Sequence, residues 1–423
     1  MNRYSYVRSG VYIVCLFSSG LTTSGIAEDI TQAQPQKCEQ QLSLETFRGF
    51  ALNNSPLVAE IDRDYAGELA AAFETETLQN PELQAEKTFT RMDLGGANDP
   101  QTQVSIGQPL RLSNFGSRSE VAKLIRKSGD LQKKAKLLEL IQKLTLQYET
   151  LAAYQQIGTI LLDAENRASK KVSLIKEGVK KGLLSDGDEH LFEGEKYRLQ
   201  AQSKSIASTI SVLRNELSKS IGYPCVINAT FKKEISDLPS AQILIRLAKE
   251  SQIGESARID LLSDLTKEQV RLAELDAYPQ ITPRLIYQHT NDGGDFIGAG
   301  FSIPLPFWNR NQGEQYKANA ERKVAEIRSS FVKSGGLENQ ISTLREAVVN
   351  SEEQAQLFTK KVIPSFEKAF QSQEKLYAQG KGNVLQVWQT LTTLNEVQTQ
   401  GLQLLLEAKS LRIQLSILIG EEI

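Results

Sequence analysis

The side chains able to do chemistry are few and scattered. His190 and His289 are the only histidines, Met92 is the only methionine after the initiator, and the cysteines are Cys15, Cys38 and Cys225. Metal ligation needs such groups clustered at short spacing, and nucleophilic catalysis needs a thiol or hydroxyl beside a base. The sequence contains no CxxC, no HExxH and no phosphate-cradling glycine motif. His190 and His289 therefore read as solvent-exposed bystanders. The expectation is a chain without catalytic residues, cofactor or resident metal, in which position rather than reactivity carries function.

Charge excludes further classes. Lys and Arg total 49 against 51 Asp and Glu, a net charge of −2, so no global basic field exists to hold nucleic acid. Local basic runs such as Lys133-Lys134-Ala135-Lys136 lie among apolar residues at helical spacing and read as solvated helix faces. With 40% hydrophobic residues and only 12 Pro, the chain should fold rather than stay disordered.

The N-terminus has Arg3 and Arg8, a mostly apolar run from Val11 to Leu21, then Ser24-Gly25-Ile26-Ala27 before Glu28-Asp29. That order predicts a signal peptide over residues 1–27. The run is too short and too interrupted for a membrane anchor. Cys15 follows Ile13-Val14 within it, which argues against an acylated cysteine. Export would place Cys38 and Cys225 in an oxidising compartment, where they could pair; sequence alone leaves paired and free thiols equally open.

The elements that must position everything else are written twice. Gly182 recurs 198 residues later as Gly380, Asn80-Pro81 recurs as Tyr278-Pro279, and Gln108-Pro109-Leu110 has a counterpart in Ile303-Pro304-Leu305. The expected repeats are residues 28–225 and 226–423. Each begins with a helix, about 42–79 and about 239–276. Two extended segments follow, near 83–92 and 101–110 in the first copy and near 281–290 and 296–303 in the second. A long helical hairpin closes each copy, about 117–220 and about 311–419.

Residues 117–178 contain no proline, and Leu124, Leu131, Leu138, Ile141 and Tyr148 recur by sevens and threes. In the last helix Val397, Leu404, Leu411 and Leu418 fall seven apart beside Leu394, Gly401, Ala408 and Leu415. These read as packed seams. The extended segments alternate instead. Ile297, Ala299, Phe301 and Ile303 oppose Gly298, Gly300 and Ser302; Ile281, Leu285 and Tyr287 oppose Thr282, Arg284 and Gln288; Val104 and Ile106 oppose Gln103 and Ser105. The first segment fits poorly, because Lys87 and Arg91 share a face with Leu83 and Phe89.

Segments of this length suit tilted membrane-crossing strands. Four strands cannot close, and an open sheet in lipid leaves backbone groups unpaired at several kcal/mol each. Closure then needs several chains, and three would supply twelve strands.

This order, and the stretch from Phe301 to Gly313 (Phe-Ser-Ile-Pro-Leu-Pro-Phe-Trp-Asn-Arg-Asn-Gln-Gly) with Gln108-Pro109-Leu110, resembles the TolC family of outer-membrane efflux proteins, and within it the CzcC-like branch of heavy-metal efflux. The resemblance implies a mainly α fold with a small β part: a homotrimer whose twelve-stranded transmembrane barrel continues into a periplasmic α-barrel of coiled-coil hairpins. It implies an outer-membrane channel extending into the periplasm, set in outer-membrane lipid. This channel would be a passive duct for metal cations or small toxic compounds, served by a periplasmic adaptor and an inner-membrane pump of the RND type. Alternatives are a type I protein-secretion channel and a soluble periplasmic coiled-coil scaffold or adaptor. The resemblance also assigns adaptor docking to the hairpin tips, Gly182, Leu183 and Asp188 with Gly380 and Gln386. Gln386 and Gln389 stand where relatives often carry aspartates at a periplasmic constriction, and Trp388 between them reads as packing.

Overall fold

A computed structural model describes residues 42–88, 101–182, 184–222, 227–231, 237–290 and 293–423. The signal segment, Cys38, Leu183, Cys225, Phe89, Arg91 and Met92 lie outside them. None of the described helices is long and apolar enough to cross a membrane, which leaves strands untouched.

The first helical stretch is two helices, not one: α1 (Leu44–Asn54) and α2 (Pro56–Glu76). Ser55 between them is extended, as the residue before a proline must be, and its hydroxyl caps α2 by accepting from the Leu57 amide. The second stretch also breaks, into α5 (Ala241–Glu250) and α6 (Glu255–Leu275). There Gly254 lies against the C-terminal turn of the chain so closely that a Cβ would sit 2.9 Å from the Ile419 carbonyl.

Helix α3 (Phe115–Lys180) runs unbroken for 66 residues, about 100 Å at about 1.5 Å per residue, and α4 (Asp186–Ile221) returns along it. The second hairpin departs from the expected long outgoing helix. It is divided into α7 (Gln312–Lys333), α8 (Gly336–Leu357), a π turn (Phe358–Val362) and α9 (Ile363–Ala378), with α10 (Val384–Ile419) returning. Gly335, in the left-handed region at φ 87°, ends α7. Pro364 has no N–H to give and would strike the Lys360 carbonyl of a regular helix, so the wider π turn precedes it.

Packing follows the α10 seam closely. Leu394, Gly401, Ala408 and Leu415 are buried, and Val397, Leu404, Leu411 and Leu418 flank them half-buried. On α3 the expected Tyr148 is buried, but Leu124, Leu131, Leu138 and Ile141 are only half-buried, and the covered positions over that stretch include Val121, Ala122, Ile125, Leu140 and Leu144. This helix touches α2, α4, α6 and α10, so no single heptad describes its covered faces. Tyr148 donates to the Leu42 carbonyl at 2.6 Å and accepts from the Thr230 amide at 3.1 Å. Two enclosed ion pairs add cross-ties: Glu149 on α3 to Lys409 on α10 at 2.7 Å, and Glu352 on α8 to Arg412 on α10 at 3.3 Å. Burial raises the Glu352 carboxyl above its ordinary range, and Arg412 opposes the rise.

The strands β1 (Glu82–Thr88), β2 (Gln101–Gly107), β3 (Thr282–Thr290) and β4 (Asp295–Ser302) form one antiparallel sheet in the order β1-β2-β3-β4. Among the described residues β1 and β4 each pair on one side only.

Candidate functional site

The register sorts the sheet into two chemically different faces. One carries Leu83, Ile106, Leu285 and Ala299 in a single cross-strand row, then Ala85, Val104, Tyr287 and Ile297 in the next. Phe301 extends this face toward the helices. The opposite face carries Gln84, Ser105, Ile286 and Gly298 in one row, with Glu86, Gln103 and Gln288 beside Phe296 in another. Arg284 on the polar face reaches Glu82 and donates to Gln84. The apolar side chains stand open: Ile297 is 87% exposed and Leu83 73%. An apolar stripe of this size, left uncovered by the described residues, calls for an apolar neighbour.

Lys87, the residue that spoiled the first segment's alternation, lies in the row of Thr102, His289 and Asp295. It therefore marks the polar upper limit of the apolar face rather than a flaw within it. His289 is not a bystander. Its Nδ1 lies 2.8 Å from Asp295 Oδ1, which also accepts from the Tyr287 hydroxyl at 2.8 Å. His190 lies exposed near the start of α4. Among the described residues no three His, Cys, Asp or Glu side chains converge as a metal site would need.

At the other end of the molecule the two hairpin tips come together. Phe192 of α4 meets Trp388 of α10 edge to face, with ring centroids 5.0 Å apart, inside a core that also holds Ile175, Leu199 and Val384. Trp388 thus packs, and Lys171 on α3 reaches Glu374 on α9 at 3.4 Å alongside it.

Gly182 and Gly380 both adopt left-handed backbone, at φ 73° and 71°, and both are exposed. The turns then differ. Asp188 is the third residue of α4 and closes a capping box, accepting from the Ser185 amide at 3.0 Å while its own amide donates to Ser185 Oγ. The Ser185 hydroxyl, donating to Asp188 Oδ2 at 2.7 Å, and the Ser185 amide together hold the Asp188 carboxyl below its usual range. In the second tip Asn383 caps α10 by accepting from the Leu385 amide, leaving Gln386 exposed with Gln389 one turn on. Gly382, which the sequence did not single out, is pressed against backbone: a Cβ there would sit 2.7 Å from the Tyr377 nitrogen.

No family model matches the chain. Its sequence is 24% identical over 391 residues to the cobalt-zinc-cadmium resistance protein CzcC of Cupriavidus metallidurans, spanning 88% of this chain and 87% of that one. Among solved structures, the outer membrane protein VceC of Vibrio cholerae superposes with a TM-score of 0.69 at 17% identity, over 89% of this chain and 96% of that one. The channel protein CusC gives 0.71 at 13% identity, over 89% and 92%. The MtrE outer membrane channel of Neisseria gonorrhoeae gives 0.70 at 13% identity, over 90% and 89%. The chain has the fold of these solved outer-membrane channel proteins.

Proposed function

We propose that the chain is one subunit of an outer-membrane duct through which an efflux system expels its cargo, that it performs no catalysis, and that three copies complete the channel. The observation that carries this reading is the four-stranded sheet, apolar on one face and polar on the other, with both outer strands paired on one side only among the described residues. In hydrocarbon such a sheet is stable only when its edges are closed. Three copies meeting β4 to β1 make twelve strands, and the polar faces then line a water-filled bore.

The tips form the periplasmic end of this duct. Gly182, Leu183, Asp188, Gly380 and Gln386 offer a docking surface to the hairpin of a periplasmic adaptor, behind which stands an inner-membrane pump of the RND type. Gln386 and Gln389 line the constriction. Because their amides carry no charge, the tip itself contributes little ion selectivity. CzcC is named for resistance to cobalt, zinc and cadmium, and likeness to it favours divalent metal cations as cargo. The two copies of helices, strands and hairpin are read as an internal duplication over 28–225 and 226–423, and Cys38 and Cys225 as candidates for a disulfide.

Planar-bilayer recording of the protein purified in detergent tests the reading. Discrete conductance steps are expected, and they become larger when the tips are loosened by replacing Trp388. A preparation that never requires detergent and never conducts points to the soluble scaffold instead.

A further inference from the structure

Where the sheet meets the helices, the connections flanking β3 and β4 leave a groove of about 580 Å³, within the size range of small-ligand sites. Its lining is of two kinds. On one side stands Arg111. The Asp276 carboxylate nearby is already occupied: Arg118 donates to both of its oxygens at 2.9 Å, and the Asn114 amide donates to one of them. Arg111 approaches the same carboxylate only to 3.9 Å, with 36% of its side chain exposed. Two guanidinium groups thus share one acid, which leaves positive charge in excess on the groove side.

The other wall is apolar and open. Trp308 is 90% exposed and meets Phe307 edge to face, with centroids 6.0 Å apart. Ile303 and Leu305 follow Phe301 at the same two-residue spacing just beyond the end of β4 and are exposed as it is, so open apolar side chains run from the sheet to this wall. Tyr278, itself exposed, also lines the groove. Exposed aromatic rings at the edge of an apolar band are suited to a membrane–water boundary, and a cation beside them is suited to a phosphate.

We propose that this groove seats a glycerophospholipid, its phosphodiester on Arg111 and its acyl chains along Phe307, Trp308 and the apolar sheet face. The inference rests on the reading that the sheet lies in a membrane. A free anion would use only the Arg111 side; the exposed Leu305, Phe307 and Trp308 side chains are what select a lipid.

Native mass spectrometry of the full-length oligomer, purified in a mild non-ionic detergent and given dioleoylphosphatidylglycerol, dioleoylglycerol or inorganic phosphate, separates the outcomes. Phosphatidylglycerol should be retained, and dioleoylglycerol, which lacks the phosphate, about tenfold less, as expected for losing a charge-assisted hydrogen bond. R111Q should lower phosphatidylglycerol retention by a similar factor while R284Q, on the polar face, leaves it unchanged. W308A should weaken both lipids. Equal retention of phosphatidylglycerol by wild type and R111Q overturns the proposal, as does binding of inorganic phosphate alone. Should R111Q fail to assemble, the comparison of the two lipids and W308A decides. A detergent-requiring oligomer that retains no lipid defeats this inference only, whereas a particle needing no detergent defeats the channel reading beneath it.

Discussion

Gly380 and Gly382 lie two positions apart in one tip and act through different physics. Gly380 supplies a left-handed turn into open space, so Gly380→Ala costs only backbone strain, about 1 kcal/mol. Gly382→Ala drives a methyl into the Leu376-Tyr377 backbone, which cannot swing aside, and should cost up to about 3 kcal/mol. Hydrogen exchange across residues 376–390 measures the difference, and equal protection in the two variants contradicts it. Asp188 makes a pH-dependent prediction at the opposite tip. Its folded pKa is depressed by Ser185, so its stabilisation is complete above the ordinary carboxylate value near about 4 and is lost as pH falls through the lower folded value. Amide exchange at the start of α4 should accelerate over that acid range, and Asp188→Asn should remove the dependence. Gly182 and Gly380 were visible in the sequence because they repeat. Gly382 was not, since a close approach of backbone to backbone leaves no mark on residue type, and His289 looked idle because its partner Asp295 is defined only by strand register.

At the scale of elements, alternation and heptads carried most of the information. The strand boundaries expected from alternation fall within a few residues of β2, β3 and β4. Residues such as Ser55-Pro56, Gly335-Gly336 and Pro364 already held the signals for the helix breaks, because each removes a donor or favours a non-helical backbone. The α3 seam was misplaced at Leu124, Leu131, Leu138 and Ile141, though not at Tyr148, for a physical reason: a helix packed on several sides has no single stripe. Least legible were the ties between distant helices. Glu149 and Lys409 are far apart in sequence, yet their pair is almost wholly enclosed. Lys409→Met should destabilise the fold by about 3–5 kcal/mol because it strands the Glu149 charge, and the double variant Glu149→Leu with Lys409→Met should recover much of that loss. Thermal unfolding in detergent compares the three; a double variant no better than the single one counts against this assignment.

For the whole molecule, selectivity and assembly are linked through the tips and the sheet. If Gln386 and Gln389 line the constriction, replacing both by Asp puts carboxylates where amides now stand, and the reversal potential under a salt gradient should move toward cation preference. No movement would place these residues away from the pore. The sheet sets a stricter requirement: on the channel reading its apolar face is met by lipid, and its edges, each paired on one side only among the described residues, are met by further copies of the same chain. The mass of the detergent-solubilised particle, corrected for bound detergent, tests that requirement most directly. The account predicts three chains per particle and precipitation when detergent is withdrawn; a single chain that stays dispersed in plain buffer would contradict it.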